Sequence, residues 1–331
     1  MPQNKAWTLA SFPAAEVREE NFRLIEAPAP APQEGEVLVR NLWLSLDPYM
    51  RGRISQQKSY AKGVDIGEVM TGETAGEVVQ SRHARFAPGD TVTTPAGWQL
   101  YGCLKGELLT KVDATRAPLS YYLGCLGMPG RTAYFGLKDI AAPKAGQTVV
   151  VSAASGAVGS VVGQLARAWG CRAVGIAGGR AKCDYVAQEL GFDACIDYKA
   201  GNLYRDLKEA CPEGVDVYFD NVGGEILDTL LRLMNPFSRI VVCGRISAFD
   251  REPYGLKNFG AVLVNRIKVQ GMIVFDWLER YAEANQALLD ALIAGRLKTR
   301  ESVVTGIENA PRGFIGLLKG ENFGKQLVKL A

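Results

Sequence analysis

A short segment of this chain has the residue types and spacing of a phosphate-binding turn. Between Val149 and Gly159, β-branched residues lead into a run of small residues, and an apolar stripe from Val158 to Trp169 at helical spacing follows. Backbone N–H groups and the positive end of a helix attract phosphate at such a turn. In a G-x-G-x-x-G pattern the three glycine positions fall on Ala154, Gly156 and Gly159. The positions between them are Ser155, Ala157 and Val158. This predicts a dinucleotide site, although an alanine takes the first glycine position and a buried strand–helix turn is the alternative.

Two basic residues after the next predicted strand indicate which dinucleotide binds. Strand 172–177 runs into Gly178, and Arg180 and Lys182 come before any carboxylate. NAD-specific folds place an acidic residue here for the ribose 2′-hydroxyl, whereas cations bind a 2′-phosphate. Cations are also unfavourable in the first turn of a helix unless an anion is present. The sequence therefore predicts NADP(H), the alternative being that both side chains are simply solvated.

These residues require a scaffold in which strands and helices alternate. Predicted strands lie at 148–153, 172–177, 194–197, 215–220, 238–243 and 267–274. Predicted helices between them lie at 157–169, 180–190, 202–210, 224–234 and 277–294. The alternation predicts an α/β fold with a doubly wound parallel (Rossmann) sheet, whose first strand–helix turn holds the pyrophosphate.

The rest of the chain is rich in strands and turns. Short strands are predicted at 36–40, 72–79 and 90–94, and again near 301–305 and 326–330. With 331 residues the chain exceeds the usual size of one core. We expect a β-rich substrate domain formed by residues 1–125 and 298–331, and a dinucleotide-binding domain at 126–297.

Composition excludes several classes of protein. Thirty-eight basic and 35 acidic residues give a net charge of +3 without like-charge blocks, so we expect neither a nucleic-acid nor a membrane partner. The N-terminus does not read as a signal peptide, and the seven scattered cysteines form no C-x-x-C pair, which predicts a reduced, cytoplasmic protein. The single histidine, His83, lies in a polar run, so we expect no metal site.

Six motifs, in order, resemble the zinc-free leukotriene/prostaglandin reductase and curcumin reductase group of the medium-chain dehydrogenase/reductase superfamily. They are Ser45–Gly52, Gly127–Gly136, Ala153–Gly159, Asp197–Lys199, Phe219–Gly224 and Glu321–Lys325. The resemblance covers essentially the whole chain and implies a GroES-like fold for the β-rich domain. The G-H-E zinc motif of the superfamily's alcohol dehydrogenases reads Gly72-Glu73-Thr74 here, without histidine. The group reduces the carbon–carbon double bond of α,β-unsaturated ketones and aldehydes with NADPH.

The resemblance also implies roles for individual residues. Lys182 matches a lysine on the 2′-phosphate, and Tyr198 a tyrosine at the phosphate or ribose end. Residues matching positions around the nicotinamide half are Met128, Thr132, Asn221 and Asn322, and Cys243 and Gly244 match strand-end residues beneath the cofactor. Tyr198 as a strand-end aromatic, Asn221 as a turn residue and Cys243 as a core residue are the alternatives.

The proton donor stays open at this stage. Hydride addition to an enone leaves an enolate, which a neutral hydroxyl can stabilise. Tyr49 and Tyr254 are the catalytic candidates, with the cofactor ribose as another source, because Val264 stands where several relatives have tyrosine. Tyr49 as a core residue is the alternative.

The leading hypothesis is therefore an NADPH-dependent enone and enal reductase. A quinone oxidoreductase of the same superfamily and a non-catalytic NADPH-binding protein are the alternatives. The resemblance implies a homodimer joined edge to edge, and the apolar run Val269–Val274 is either such an edge or an interior strand.

Overall fold

The computed structural model describes residues 2–57, 59–249 and 254–330. The strands in chain order are β1 (Gln3–Leu9), β2 (Phe22–Pro28), β3 (Glu36–Ser45), β4 (Thr74–Ser81), β5 (Thr91–Thr94), β6 (Tyr101–Lys105), β7 (Thr110–Lys111), β8 (Thr148–Ser152), β9 (Arg172–Ala177), β10 (Ala194–Asp197), β11 (Val215–Asp220), β12 (Met234–Val242), β13 (Lys268–Gly271), β14 (Glu301–Thr305) and β15 (Lys325–Lys329). The α-helices are α1 (Met50–Arg53), α2 (Met128–Phe135), α3 (Gly159–Ala168), α4 (Arg180–Asp184), α5 (Leu203–Ala210), α6 (Gly224–Leu231), α7 (Ala261–Val264), α8 (Tyr281–Ile293) and α9 (Ala310–Leu318).

The chain divides into two compact units. The first contains the residues up to Gly124, Glu301–Asn322 and the residues from Gln326 onward. The second contains Cys125–Arg300 and Phe323–Lys325.

The second unit is built on a six-stranded sheet in the order β10-β9-β8-β11-β12-β13, in which every neighbouring pair is parallel. The strand β8 is buried along its whole length, as expected for a central parallel strand of β-branched residues. From β8 the chain winds outward through β9 and β10, and from β11 it winds the other way. This is the predicted doubly wound fold, and the prediction is confirmed.

The first unit is antiparallel. Its main sheet runs β14-β15-β3-β4-β5-β7, with β6 also paired to β3, and β1 and β2 form a separate ladder. The last strand joins this sheet by pairing Leu327–Lys329 with Trp43–Ser45. A core of aromatic rings holds the unit together: Trp98 stacks on Phe22 at 5.3 Å between centroids and meets Phe314 edge-on at 5.6 Å.

Element boundaries differ from the sequence predictions in several places. The helix predicted at 180–190 is α4 followed by a wider π-helical turn over Tyr185–Glu189. The strand predicted at 267–274 ends at Gly271, and the helix predicted from 277 begins at Tyr281, because Trp277 has a non-helical backbone (φ −112°, ψ 19°). The strand β12 begins at Met234 rather than 238.

Candidate dinucleotide-binding site

The point where the sheet changes winding direction lies between β8 and β11, and ligands of doubly wound folds bind at the carboxyl ends of such strands. Asn221 joins the two strand ends, since its Nδ2 donates to the Ser152 carbonyl oxygen at 2.8 Å and its backbone N–H donates to Ser152 Oγ at 2.9 Å. The crevice therefore has a fixed floor made by two buried polar residues.

The turn after β8 is shaped by backbone geometry. Ala153 has φ +51°, a left-handed conformation that disfavours side chains, and its carbonyl oxygen accepts from the Gly156 N–H at 2.9 Å. A Cβ on Gly159 would lie 2.4 Å from that same oxygen, so only glycine fits there. Ala154 and Ser155 are buried, whereas Gly156, Ala157 and Val158 are partly exposed immediately before α3. The first N–H groups of a helix lack intrahelical partners, which leaves this turn suited to an anion.

The carboxyl end of β9 gathers positive charge. Lys182 is half-buried in α4, and burial together with the nearby Lys199 ammonium lowers the pKa of Lys182. Lys199 also lies against Gly178, where an added Cβ would meet its Cε at 3.1 Å and the Tyr198 ring at 2.9 Å. Arg180, in contrast, is 91% exposed in its side chain and pairs with Asp184 at 3.5 Å.

Two ammonium groups close enough to repel one another would both be stabilised by an anion placed between them. The sequence reasoning singled out Lys182 but passed over Lys199, although the signal was present in the Asp197–Lys199 motif. Asp197 caps that segment, because its Oδ1 accepts from the backbone N–H groups of Gly179 at 2.8 Å and Lys199 at 3.0 Å.

The buried carboxylate of Asp220 organises the turn after β11, and the sequence analysis did not single it out. Asp220, 1% exposed, accepts on Oδ1 from Tyr218 Oη at 2.8 Å and from the N–H groups of Val222 and Gly223. Its Oδ2 has no hydrogen-bond partner among the described residues, and burial raises the pKa of this carboxyl. The side chain of Asp220 therefore stabilises the turn at Val222 and Gly223, which is the role that the sequence offered as an alternative for Asn221.

Cys243 and Gly244 are fixed by the same residue, since both backbone N–H groups donate to the Asp220 carbonyl oxygen, at 2.8 and 3.0 Å. Burial, with the Asp220 charge nearby, raises the pKa of the Cys243 thiol to about 12. A thiol that stays protonated at neutral pH is a poor nucleophile. Cys243 thus contributes a small packing group and a weak S–H donor at the end of β12.

The remaining predicted cofactor residues lie on both units. Met128 begins α2, and Thr132 Oγ1 donates to its carbonyl oxygen at 2.8 Å. Asn322 belongs to the first unit and lines a pocket of about 260 Å³ with Ser302, Arg312 and Gln326.

The two tyrosine candidates have different surroundings. Tyr49, in the first unit at the start of α1, is half-buried against the aromatic core, and burial followed by the charges of Asp47 and Glu73 raises its pKa well above the ordinary tyrosine range. Tyr254, in the second unit, is 40% exposed, and its hydroxyl lies 3.4 Å from Asp228 Oδ2. Val264 is exposed on α7.

The described residues bring no group of three or more His, Cys, Asp or Glu side chains together as metal ligands. His83 lies 3.4 Å from Glu107 and against the Phe86 ring. Among the helices described, none has the length and apolar character needed to cross a membrane.

A phosphate-type turn after β8 and two lysines beyond the end of β9 fit the class of dinucleotide-dependent, two-unit dehydrogenases. The chain belongs to the medium-chain dehydrogenase/reductase superfamily: a model for an N-terminal domain of oxidoreductase matches residues 5–112, and a model for a zinc-binding dehydrogenase matches residues 157–290. The resemblance predicted from the sequence motifs is confirmed.

Named relatives share the whole chain. The NADPH-dependent curcumin reductase of Escherichia coli is 45% identical over 339 residues, covering 99% of this chain and 97% of the relative. Prostaglandin reductase 1 of Bos taurus is 42% identical over 99% of this chain and 100% of its own. The crystal structure of CurA from Vibrio vulnificus in complex with NADPH superimposes with a TM-score of 0.94 at 46% identity, covering 99% of both chains. A quinone oxidoreductase of Escherichia coli shares the fold at 20% identity, with a TM-score of 0.79 over 98% of this chain and 99% of its own.

Proposed function

We propose that this protein is an NADPH-dependent reductase of the carbon–carbon double bond in α,β-unsaturated ketones and aldehydes. The observation that carries the proposal is 45% identity, over 99% of this chain, to a curcumin reductase. The curcumin and prostaglandin reductases lie above 40% identity, whereas the solved quinone oxidoreductase named above lies at 20%.

The residues of the second unit divide between the parts of NADPH. The turn Ala154–Gly159 at the start of α3 suits the pyrophosphate, since it offers accessible backbone and a helix N-terminus. Lys182 suits the 2′-phosphate, with Gly178 and Tyr198 beside it and Lys199 as an added cation. For the nicotinamide half we propose Met128, Thr132, Asn221 and Asn322, with Cys243 and Gly244 beneath the cofactor.

NADPH, when bound, supplies the hydride that adds to the β-carbon of the substrate. The protein must then stabilise charge on the carbonyl oxygen and provide a proton. We propose that Tyr49 stabilises the charge, because its partly buried hydroxyl is neutral at physiological pH and can donate a hydrogen bond to the enolate oxygen. The hydroxyl of Tyr254 already faces Asp228, so this candidate ranks second.

The test is NADPH oxidation with matched enones, enals and quinones. We expect enones and enals to be turned over faster than quinones. Removing a positioned hydroxyl by Tyr49→Phe should lower kcat by about 10²-fold, in the usual range for acid–base groups, whereas the control Tyr254→Phe should change kcat much less. Faster quinone turnover, or tight NADPH binding with no turnover of any substrate, would overturn the proposal in favour of the quinone reductase or the non-catalytic binding protein.

We further infer a homodimer in which the sheets of two copies meet. Support comes from β13, which ends the six-stranded sheet as described and carries an exposed Val269, with exposed Phe275 and Leu278 following it. A charged residue at this edge, Val269→Lys, should convert the dimer to a monomer in size-exclusion chromatography with light scattering. A cytoplasmic location is supported by seven thiols that are all free.

A further inference from the structure

A buried arginine of the first unit lacks the partner that buried charge normally requires. Arg53, the last residue of α1, is 8% exposed, and its Nη1 is buried without a hydrogen-bond partner among the described residues. The contacts of its guanidinium are two aromatic rings: the guanidinium carbon lies 5.5 Å from the Tyr49 ring centroid and 4.8 Å from that of Tyr60. Arg51, equally buried, instead donates to the Ala15 carbonyl oxygen at 2.8 Å.

Rings on the guanidinium faces do not satisfy its N–H groups, which lie in the plane at its edge. A planar group with two acceptor oxygens fits such an edge, and carboxylate is the common one. Tyr60 is 55% exposed, so the guanidinium lies one side chain below the surface. A buried guanidinium N–H group without a hydrogen-bond partner, this close to solvent, is a candidate contact for an anionic ligand.

The proposed function, on which this inference rests, leaves one source for that anion. The pyrophosphate and the 2′-phosphate of NADPH already have sites on the second unit, at the turn before α3 and at Lys182 with Lys199. The anion for Arg53 must therefore be carried by the substrate. The Tyr49 ring contacts Arg53. A carboxylate bound to Arg53 would therefore lie near the Tyr49 hydroxyl, which is proposed to donate a hydrogen bond to the enolate oxygen.

We propose that Arg53 binds a carboxylate on the substrate, and that the enzyme prefers enones and enals that carry one. Arg53 then determines specificity, and Tyr49 and Tyr60 orient its guanidinium through their ring faces.

The test compares an open-chain enone bearing a terminal carboxylate with its methyl ester. The wild-type kcat/KM should be higher for the acid, and Arg53→Met should lower the acid-to-ester ratio by about 10- to 100-fold, the range of a charge-assisted hydrogen bond. Arg53→Lys keeps the charge without the fork and should give an intermediate ratio. The control Arg82→Met, which removes an exposed arginine paired with Glu34, should leave the ratio unchanged.

A thermal-shift measurement keeps the inference testable without turnover. The saturated keto acid should raise the Tm of the wild-type protein more than its methyl ester does, and Arg53→Met should abolish the difference. If the wild type shows no acid preference in turnover or Tm, or if Arg53→Met lowers both substrates equally, Arg53 has a structural role and the inference is wrong. If the wild type reduces neither substrate, the proposed function fails, and the Tm difference still decides whether Arg53 binds a carboxylate.

Discussion

Replacing Lys182 with alanine tests how this chain selects its dinucleotide. The ammonium of Lys182 is half-buried next to that of Lys199, and this proximity with burial lowers the pKa of Lys182. In the free protein the two charges repel one another. With NADPH bound, the 2′-phosphate would receive hydrogen bonds from a cation that NADH does not engage.

The size of the effect follows from that difference. A hydrogen bond to a charged group contributes about 1.5–3 kcal/mol, which corresponds to about a 10- to 150-fold rise in the Kd for NADPH. Binding of NADH should change by less than about twofold, because its 2′-hydroxyl loses no ion pair. Lys199→Ala should weaken NADPH binding by only a few fold, since this residue is exposed and exposed pairs contribute about 0–1 kcal/mol.

Arg180→Ala is the matched control. Arg180 lies two residues away in the same helix, but its side chain is 91% exposed and pairs with Asp184. We expect this variant to bind NADPH as the wild type does. The assay is titration calorimetry with both dinucleotides at two salt concentrations. Equal losses for NADPH and NADH in Lys182→Ala, or a larger loss in Arg180→Ala, would show that Lys182 does not bind the 2′-phosphate.

Three further predictions concern the crevice. Gly159→Ala places a Cβ 2.4 Å from the Ala153 carbonyl oxygen, so the unfolding free energy in urea should fall by about 1–3 kcal/mol, and more than in the control Gly156→Ala, whose Cβ would lie at 3.1 Å; equal losses would contradict the turn geometry. Asp220 has a pKa raised above its ordinary 3.8, so its contribution to stability is complete below that pH and is lost as pH rises through the folded value. Asparagine does not titrate, so the Asp220→Asn variant does not lose this stability as pH rises. The Tm of the variant minus the Tm of the wild type should therefore increase with pH, and a difference that stays constant across pH would refute the raised pKa. Because the pKa of Cys243 is about 12, mass spectrometry after treatment with a thiol-alkylating reagent at neutral pH should find Cys243 unmodified in the folded protein and modified after unfolding; rapid labelling of the folded protein would be evidence against a raised pKa for this thiol.

The sequence predicts most of the scaffold because the pattern that forms it is local. The buried run Thr148–Ser152 predicts a strand, and the apolar stripe after Val158 predicts a helix, each from a few neighbouring residues. The alternation of such strands and helices predicts a parallel sheet. Boundaries are harder to predict, as at Trp277, where side-chain periodicity continues although the backbone leaves the helix.

Parts of the site escape sequence reasoning because they depend on contacts between distant segments. Lys199 acts with Lys182 only because β10 pairs with β9 and brings their ends together. Asp220 looks like any strand-end carboxylate until the N–H groups that surround it are known. The missing partner of Arg53 is invisible in a sequence, since burial without a hydrogen bond is a property of the folded chain alone.

The pairing of β15 with β3 joins two segments that lie far apart in the chain. Leu327 and Val328 are fully buried and pair with Ser45 and Leu44, respectively, which lie more than three quarters of the chain length away. Loop closure over such a separation is slow. The second unit is nearly continuous from Cys125 to Arg300, so during synthesis it is complete before β15 is made. Until then this part of the β3 edge has not paired with β15. The pairing of Leu327–Lys329 with Trp43–Ser45 thus completes the sheet just ahead of Tyr49 and Arg53, and deletion of Lys325–Lys329 should leave an unpaired β3 edge that promotes aggregation.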